Sequence, residues 1–425
     1  MRSPPPEWLQ RPRQAPGILS VASKDLGLAA ALLSGRIAKL RYRLSGRSGD
    51  GVSTQGAAIL GVDPRAIAKL ARGRRTVLIS GTNGKSTTAY LAAAAMDWAV
   101  ALNFTGANTA SGVATALSED TSGTAVLELD ELYLPRMLKS LAPKVIALLN
   151  LSRDQLDRMH EVRMVTDAWR AAMAGTDATL VANCADPNLV HAVGDARCVW
   201  FDPGTRWPND ASACPNCAGL IQWTEVAWAC SCGLAMPRAH ATLHGQTLLM
   251  PDGGPFELKL RLPGAANRAN AVAAVLLARE LGVEPRVALD RMAALETVWG
   301  RYGRYRVGDR CATLILVKNP AGMASALEML PPQAAVIVGI NAGALDGRDT
   351  SWLYDAAFDA LAGRAIGVTG ERRHDIALRL HLAGTDPIVD SDVHRLAGRL
   401  PVGPLVLLAN YTVFLEWRKG LPCVK

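Results

Sequence analysis

Apolar residues recur along this chain in two rhythms. Short unbroken runs at 77–79, 124–129, 144–149 and 179–182 alternate with longer segments in which Ala, Leu and Val return every three or four positions. That alternation predicts buried parallel strands covered by helices. Residues 26–44 have apolar side chains at helical spacing, with Arg36, Lys39, Arg41 and Arg43 between them. They predict an amphipathic helix, either packed on the main domain with a solvated basic face or touching a membrane surface. Residues 45–56 read as a Gly/Ser-rich loop, and 66–71 as a short helix leading into the first strand. A second series of apolar runs, at 312–317, 335–340, 365–368, 388–389 and 405–409, predicts a smaller, mostly parallel sheet in the last third of the chain.

The stretch 76–98, TVLISGTNGKSTTAYLAAAAMDW, organises the rest. An apolar strand stops at Ser80, Gly81-Thr82-Asn83-Gly84 makes a polar turn, and Lys85 opens an Ala-rich helix. This geometry aims backbone N–H groups and the positive helix end at one point, which suits a polyphosphate. Lys85 is placed to reach the β- and γ-phosphates and Ser86 to ligate Mg²⁺. Residues 124–129 end in Glu128, with Asp130 and Glu131 following. Acids at the C-terminal end of a parallel strand face the ligand side of such a sheet, making Glu128 a candidate second Mg²⁺ ligand. Asp130 and Glu131 also read as surface acids at a helix start.

With 425 residues, 49% hydrophobic and 5% aromatic, two or three α/β domains are expected, after a Pro-rich disordered leader at 1–16. A net charge of +8 admits an anionic partner. Apart from the runs at 36–47 and 72–75 the basic residues are scattered, and they lack interleaved aromatics, which argues against nucleic acid. No apolar run approaches the roughly 18 to 20 residues of a membrane span, and no secretory signal is visible, so a cytoplasmic protein is expected. In that compartment eight cysteines read as ligands or buried thiols. Cys214-Pro-Asn-Cys217 and Cys230-Ser-Cys232 flank a predicted hairpin at 221–229 bearing Trp223 and Trp228. Four thiolates on two short knuckles suit a structural Zn²⁺ and leave no open position for catalysis; free thiols are the plainer alternative. Cys184, Cys198, Cys311 and Cys423 read as isolated thiols.

The Gly-Thr-Asn-Gly-Lys-Ser-Thr loop at 81–87 resembles that of the Mur ligase superfamily, the ATP-dependent carboxylate–amine ligases of peptidoglycan and folate chemistry. So do the block from Asn150 through Asp154 and Asp157 to His160, and Gly264-Ala-Ala-Asn267-Arg-Ala-Asn270-Ala271 at the head of a long helix reaching 281. Adding the cysteine set, Lys318-Asn319-Pro320-Ala321-Gly322, Asp346 to Trp352 and Asn410-Tyr411-Thr412 narrows the likeness to the MurT family, the synthase subunits of lipid II isoglutaminyl synthase. This resemblance implies a Mur ligase-like central P-loop ATPase domain at 17–299, with a zinc ribbon inserted at about 210–236, and a smaller α/β domain at 300–425 that docks a glutaminase. It implies amidation of the α-carboxylate of D-glutamate in lipid II, with ammonia from a GatD-type glutamine amidotransferase, at the inner face of the membrane. It also implies ATP contacts from Gly81, Thr82, Asn83, Gly84, Lys85, Ser86, Thr87, Asn267, Arg301, Lys318 and Asn319. Asn267 reads equally as a helix cap.

No glutaminase nucleophile is visible, since none of the isolated cysteines sits on a Gly-x-Cys-x-Gly elbow. In the resembled family an Asp of the C-terminal domain completes the partner's Cys-His pair. Asp349 is the first choice for that role, ahead of Asp346 and Asp355, and capping of a helix near Ser351 is the alternative. Lys85, Glu128 and Asp349 are therefore the expected catalytic set. A ligase that adds an amino acid without a glutaminase, of the folylpolyglutamate or muramyl-peptide type, is the alternative function.

Overall fold

The computed structural model describes residues 25–45, 51–103, 107–154, 162–251, 253–295, 302–343 and 345–424. They group into two compact units: the described residues within 1–151, 162–261 and 267–295 form the first, and those within 152–161, 262–266 and 296–425 the second. The expected leader at 1–16 lies outside the described residues.

The first unit begins with three helices, α1 (Leu26–Leu44), α2 (Val52–Val62) and α3 (Ala66–Ala71). Asp25 caps α1 by accepting the Leu28 N–H at 3.0 Å. The alternation that follows is β1 (Arg75–Ser80), α4 (Lys85–Ala95), β2 (Ala101–Leu102), α5 (Ala110–Glu119), β3 (Thr124–Leu129), α6 (Leu134–Leu141), β4 (Val145–Leu148), α7 (Val162–Met173), β5 (Thr179–Asn183), α8 (Pro187–Val193) and β6 (Cys198–Asp202). A small hairpin, β7 (Gln222–Trp223) and β8 (Trp228–Ala229), precedes β9 (Ala241–His244), β10 (Thr247–Leu249) and β11 (Phe256–Glu257), then α9 (Ala265–Glu280) and α10 (Pro285–Met292). The main sheet has the order β11-β10-β9-β6-β5-β4-β1-β3-β2. From β2 to β9 neighbouring strands are parallel, and β10 and β11 add an antiparallel edge. β1 lies between β3 and β4, with Val77 opposite both Val126 and Val145. Every residue of β3 and β4 is buried, as expected for parallel strands covered on both faces.

The loop expected at 45–56 is overturned from residue 52 onward, where α2 begins. Gly56 lowers helix propensity and misleads a sequence reading. Its function is contact: a Cβ there would lie 1.8 Å from the Ser111 carbonyl oxygen, so only glycine lets α2 meet the start of α5 this closely.

The second unit contains β12 (Tyr302–Val307), β13 (Arg310–Leu316), α11 (Pro320–Glu328), β14 (Ala335–Gly339), α12 (Trp352–Asp355), β15 (Ile366–Thr369), α13 (Arg373–Leu382), β16 (Ile388–Val389), α14 (Val393–Arg399), β17 (Leu405–Ala409) and α15 (Tyr411–Gly420). Its sheet order is β12-β13-β17-β14-β15-β16, parallel except for β12 against β13. The five expected strands are present. β12, which is absent from that series, is a sixth. Its burial alternates residue by residue, so it carries no continuous apolar run.

Candidate active site and cysteine cluster

The C-terminal ends of β1 and β3 bring the glycine-rich loop at 81–84 and the acids together. Gly81 has φ 145° and Gly84 φ 87°, backbone angles that side chains rarely adopt. A Cβ on Gly84 would lie 2.3 Å from Asn270 Oδ1, and one on Gly81 3.0 Å from the Asn150 backbone. Asn150 then clamps the loop. Its backbone oxygen accepts the Thr82 N–H at 2.9 Å, its Oδ1 accepts the Asn83 N–H at 2.9 Å, and its Nδ2 donates to the Asn83 oxygen at 3.0 Å. α4 starts immediately afterwards with no acidic residue in its first turn, leaving its positive end facing the loop.

Four side chains, Lys85, Ser86, Glu128 and Glu131, meet at that end. Ser86 Oγ donates to Glu128 Oε2 at 2.7 Å, and Lys85 Nζ donates to Glu131 Oε2 at 2.9 Å and to the Thr82 oxygen at 3.3 Å. All four side chains are buried. Asn103 holds the Glu128 backbone from both sides, accepting its N–H at 2.9 Å and donating to its oxygen at 2.8 Å. A hydroxyl and a carboxylate in contact at a glycine-turned helix N-terminus are a donor set suited to a hard cation bound beside phosphates. The expected trio Lys85, Ser86 and Glu128 is thus one constellation. Thr82 and Thr87 are buried beside it.

Sequence reasoning missed three supports. Glu131, for which a surface acid was the alternative reading, is the buried counter-ion of Lys85. Asn270, one turn beyond Asn267, is the side chain that abuts Gly84. Asp186 accepts N–H groups from Leu151 at 2.7 Å and Asn188 at 2.9 Å, and burial pushes its carboxyl up to about 6. The signal for Asn270 was the repeat Asn267-x-x-Asn270, which puts both side chains on one helix face; burial of the two acids leaves no such mark. Asn267 stands in the first turn of α9. Arg301, Asp157 and His160 lie outside the described residues.

In the second unit, Lys318 pairs with Asp154, and Asn319 caps α11 by accepting the Gly322 N–H at 2.8 Å. The three aspartates expected near a partner separate clearly. Asp346 is buried and tied to α15, where it accepts the Thr412 N–H at 2.9 Å and the Thr412 hydroxyl; burial raises its pKa. Asp355 pairs with Arg153 at 2.9 Å. Asp349 is part-exposed and accepts the Ser351 N–H at 2.8 Å just before α12; that bond lowers its pKa.

The cysteines converge as the spacing implied. The four Sγ atoms of Cys214, Cys217, Cys230 and Cys232 lie within 4.8 Å of one another. Cys214 and Cys232 are 3.7 Å apart and Cys217 and Cys230 3.5 Å, near the roughly 3.8 Å edge of a tetrahedron with Zn–S bonds of about 2.3 Å. Backbone N–H groups of Asn216 and Gly219 point at Cys214 and Cys217 at 3.4 Å, the usual support for thiolate charge. Behind the cluster Trp228 is buried, its indole N–H donating to the Cys184 oxygen at 3.1 Å. Burial pushes the Cys184 thiol up to about 12, and Cys198 is raised for the same reason, which marks both as inert.

Comparison with known proteins agrees with this geometry. The Mur ligase middle domain model matches residues 79–211 and the MurT ligase C-terminal model residues 316–414. The chain is 31% identical over 418 residues to the lipid II isoglutaminyl synthase (glutamine-hydrolyzing) subunit MurT of Staphylococcus aureus strain N315, covering 88% of this chain and 94% of that one. It is 30% identical over 444 residues to the corresponding subunit of Streptococcus pneumoniae strain R6, covering 93% and 97%. Among solved structures, a pseudomurein peptide ligase type C from Methanothermus fervidus superposes with TM-score 0.64 at 16% identity, covering 81% of this chain and 78% of that one, a likeness of fold. With both family models matched in order and relatives aligned over nearly their whole length, the chain belongs to the MurT family of Mur ligase-like proteins.

Proposed function

We propose that this chain is the synthase subunit of a two-subunit, ATP-dependent amidating ligase that converts the α-carboxylate of D-glutamate in the lipid II stem peptide to D-isoglutamine. The observation that carries the reading is the contact of Ser86 with Glu128 beside Lys85 at the N-terminus of α4, within a chain of MurT lineage. A carboxylate does not react with ammonia at neutral pH, because oxide is too poor a leaving group. Transfer of the γ-phosphoryl group of ATP to a carboxylate oxygen, with ADP leaving, makes an acyl phosphate. Ammonia then attacks the carbonyl carbon and inorganic phosphate departs with the C–O electron pair. Such transfers need positioning and charge neutralisation above all. Lys85 and the N–H groups of α4 orient the phosphates, and Ser86 and Glu128 hold Mg²⁺, which neutralises phosphate charge when bound.

Asp349 is the aspartate best disposed to reach a partner, since Asp346 is committed to α15 and Asp355 to Arg153. A GatD-type glutaminase is that partner in this reading, Lys318, Asn319, Asn267 and Arg301 complete the nucleotide contacts, and the four cysteines hold a structural Zn²⁺. The enzyme works in the cytoplasm at the inner membrane face.

Reconstitution tests it. The chain together with a glutaminase subunit, ATP, glutamine and lipid II should yield the amidated product, detected as a loss of about one mass unit, and Lys85→Ala should abolish it. Amidation by the chain alone with glutamine as sole nitrogen source, or ATP-driven addition of a free amino acid, would overturn the two-subunit assignment.

A further inference from the structure

α1 is apolar on two opposite faces. Leu28, Ala31 and Gly35 are buried, and Gly35 sits so close to α2 that a Cβ would lie 2.5 Å from Ile59 Cγ1. On the other side Leu26, Leu33, Ile37, Leu40 and Leu44 are exposed, each by between 43% and 85%. At about 100° per residue these five fall in one stripe about 60° wide that runs the length of the helix. A helix that only packs on its domain has no use for this second stripe, and scattered exposed leucines would not line up.

The charges beside the stripe specify what it meets. Residues 26–44 include Arg36, Lys39, Arg41 and Arg43 and no Asp or Glu. Arg41 flanks one side of the stripe, and Arg36 and Arg43 flank the other. Arg36, Lys39, Leu40 and Arg43 also line a recess of about 420 Å³, in which Lys39 pairs with Glu119. Aliphatic side chains bordered by cations along nineteen helical residues are the pattern of a helix lying in the plane of an anionic bilayer surface, its leucines at the acyl boundary and its guanidinium groups among phosphates. No helix among the described residues is long and apolar enough to cross a membrane, so this attachment is lateral.

We infer that the exposed Leu33/Ile37/Leu40 face of α1, with Arg36, Arg41 and Arg43, docks this protein on an anionic lipid bilayer. The inference deepens the proposal of a lipid-linked acceptor, and lipid without that acceptor separates the two.

The full-length chain is sedimented with vesicles of phosphatidylcholine containing 30% phosphatidylglycerol, or of phosphatidylcholine alone. Binding to the anionic vesicles should fall as salt rises and should be weak on the neutral ones. Leu33→Gln with Leu40→Gln should lower the partition coefficient by at least about tenfold, and Arg41→Gln with Arg43→Gln by about tenfold with a shallower salt dependence. The substituted side chains are exposed, so the melting temperature should hold; if either pair lowers it, single Leu33→Gln and Arg41→Gln variants replace the pair. Failure of the wild-type chain to bind anionic vesicles, unchanged binding by the leucine variant, or concentration-dependent dimerisation in solution that this variant abolishes would overturn the inference, the last by giving the face to a second copy.

Discussion

Lys85 and Glu131 form an ion pair of 2.9 Å in which the two side chains are only 5% and 3% exposed. In the proposed function Lys85 reaches for phosphate, and phosphate would then have to compete with Glu131. Buried pairs are costly to break one-sidedly, because the remaining charge has neither water nor partner. Glu131→Ala should destabilise the protein by about 3 kcal/mol. The double variant with Lys85→Ala should lose much less than the sum, and a double-mutant cycle by chemical denaturation measures this.

The phosphate turn tolerates no side chain at Gly84. Gly84→Ala places a methyl against Asn270 Oδ1 in a left-handed backbone, so it should cost about 1–3 kcal/mol and at least tenfold in nucleotide affinity by calorimetry. Adding Asn270→Ala relieves the clash but not the dihedral strain, and recovery should be partial. Gly175→Ala, where the new methyl meets nothing within 4 Å, should bind nucleotide normally.

Asp186 predicts a pH signature. Burial raises its carboxyl from 3.8 to about 6, so the folded protein holds a proton that the unfolded chain releases. Its contribution is present in full below pH 3.8 and is lost as pH rises through 6. Asp186→Asn removes the titration and keeps one amide oxygen, which can serve Leu151 or the cap bond to Asn188 but not both, since these N–H groups meet different carboxylate oxygens. It should flatten the dependence of stability on pH between about pH 4 and 6, as urea titrations at several pH values will show.

The cysteine cluster predicts one equivalent of zinc. Stripping it with a chelator should lower the melting temperature and change near-ultraviolet dichroism, because Trp228 and Trp223, 6.3 Å apart, rest on the ribbon. Cys217→Ser should reproduce the loss. Less than half an equivalent in chelator-free buffer contradicts a zinc ribbon.

The two C-terminal aspartates should fail differently. Asp346→Ala removes the acceptor for two Thr412 donors and should cost about 2 kcal/mol. Asp349→Ala should cost under about 1 kcal/mol. It should abolish glutamine-dependent amidation while sparing amidation driven by added ammonium, since its proposed role is in supplying ammonia.

What the chain discloses before folding depends on whether the deciding force is local. α1 and α3 and strand β3 match their sequence expectations to the residue, because apolar period and turn residues mark both ends. Lys85, Ser86 and Glu128 were legible because a phosphate loop and a strand-end acid are local patterns. Glu131 was not: nothing adjacent reveals that Trp169 and α7 cover it, with the Trp169 indole N–H donating to its backbone oxygen at 2.9 Å. The short strands β9, β10 and β11 escaped for the same reason, since short strands acquire their meaning from the neighbour they pair with.

The ribbon also has a topological duty. Phe201 in β6 and Ala241 in β9 are partners in a parallel ladder, so the chain that leaves β6 must turn back and re-enter beside that strand's last residues, running in the same direction. In most α/β sheets a helix makes that crossover; here residues 203–240, cysteines included, are the only chain available to do it. Excising them with a two-residue splice would leave β9 pointing the wrong way and strand β10 and β11 with it. A cysteine-bearing loop that looks like ornament is the piece that sets the direction of the whole outer edge.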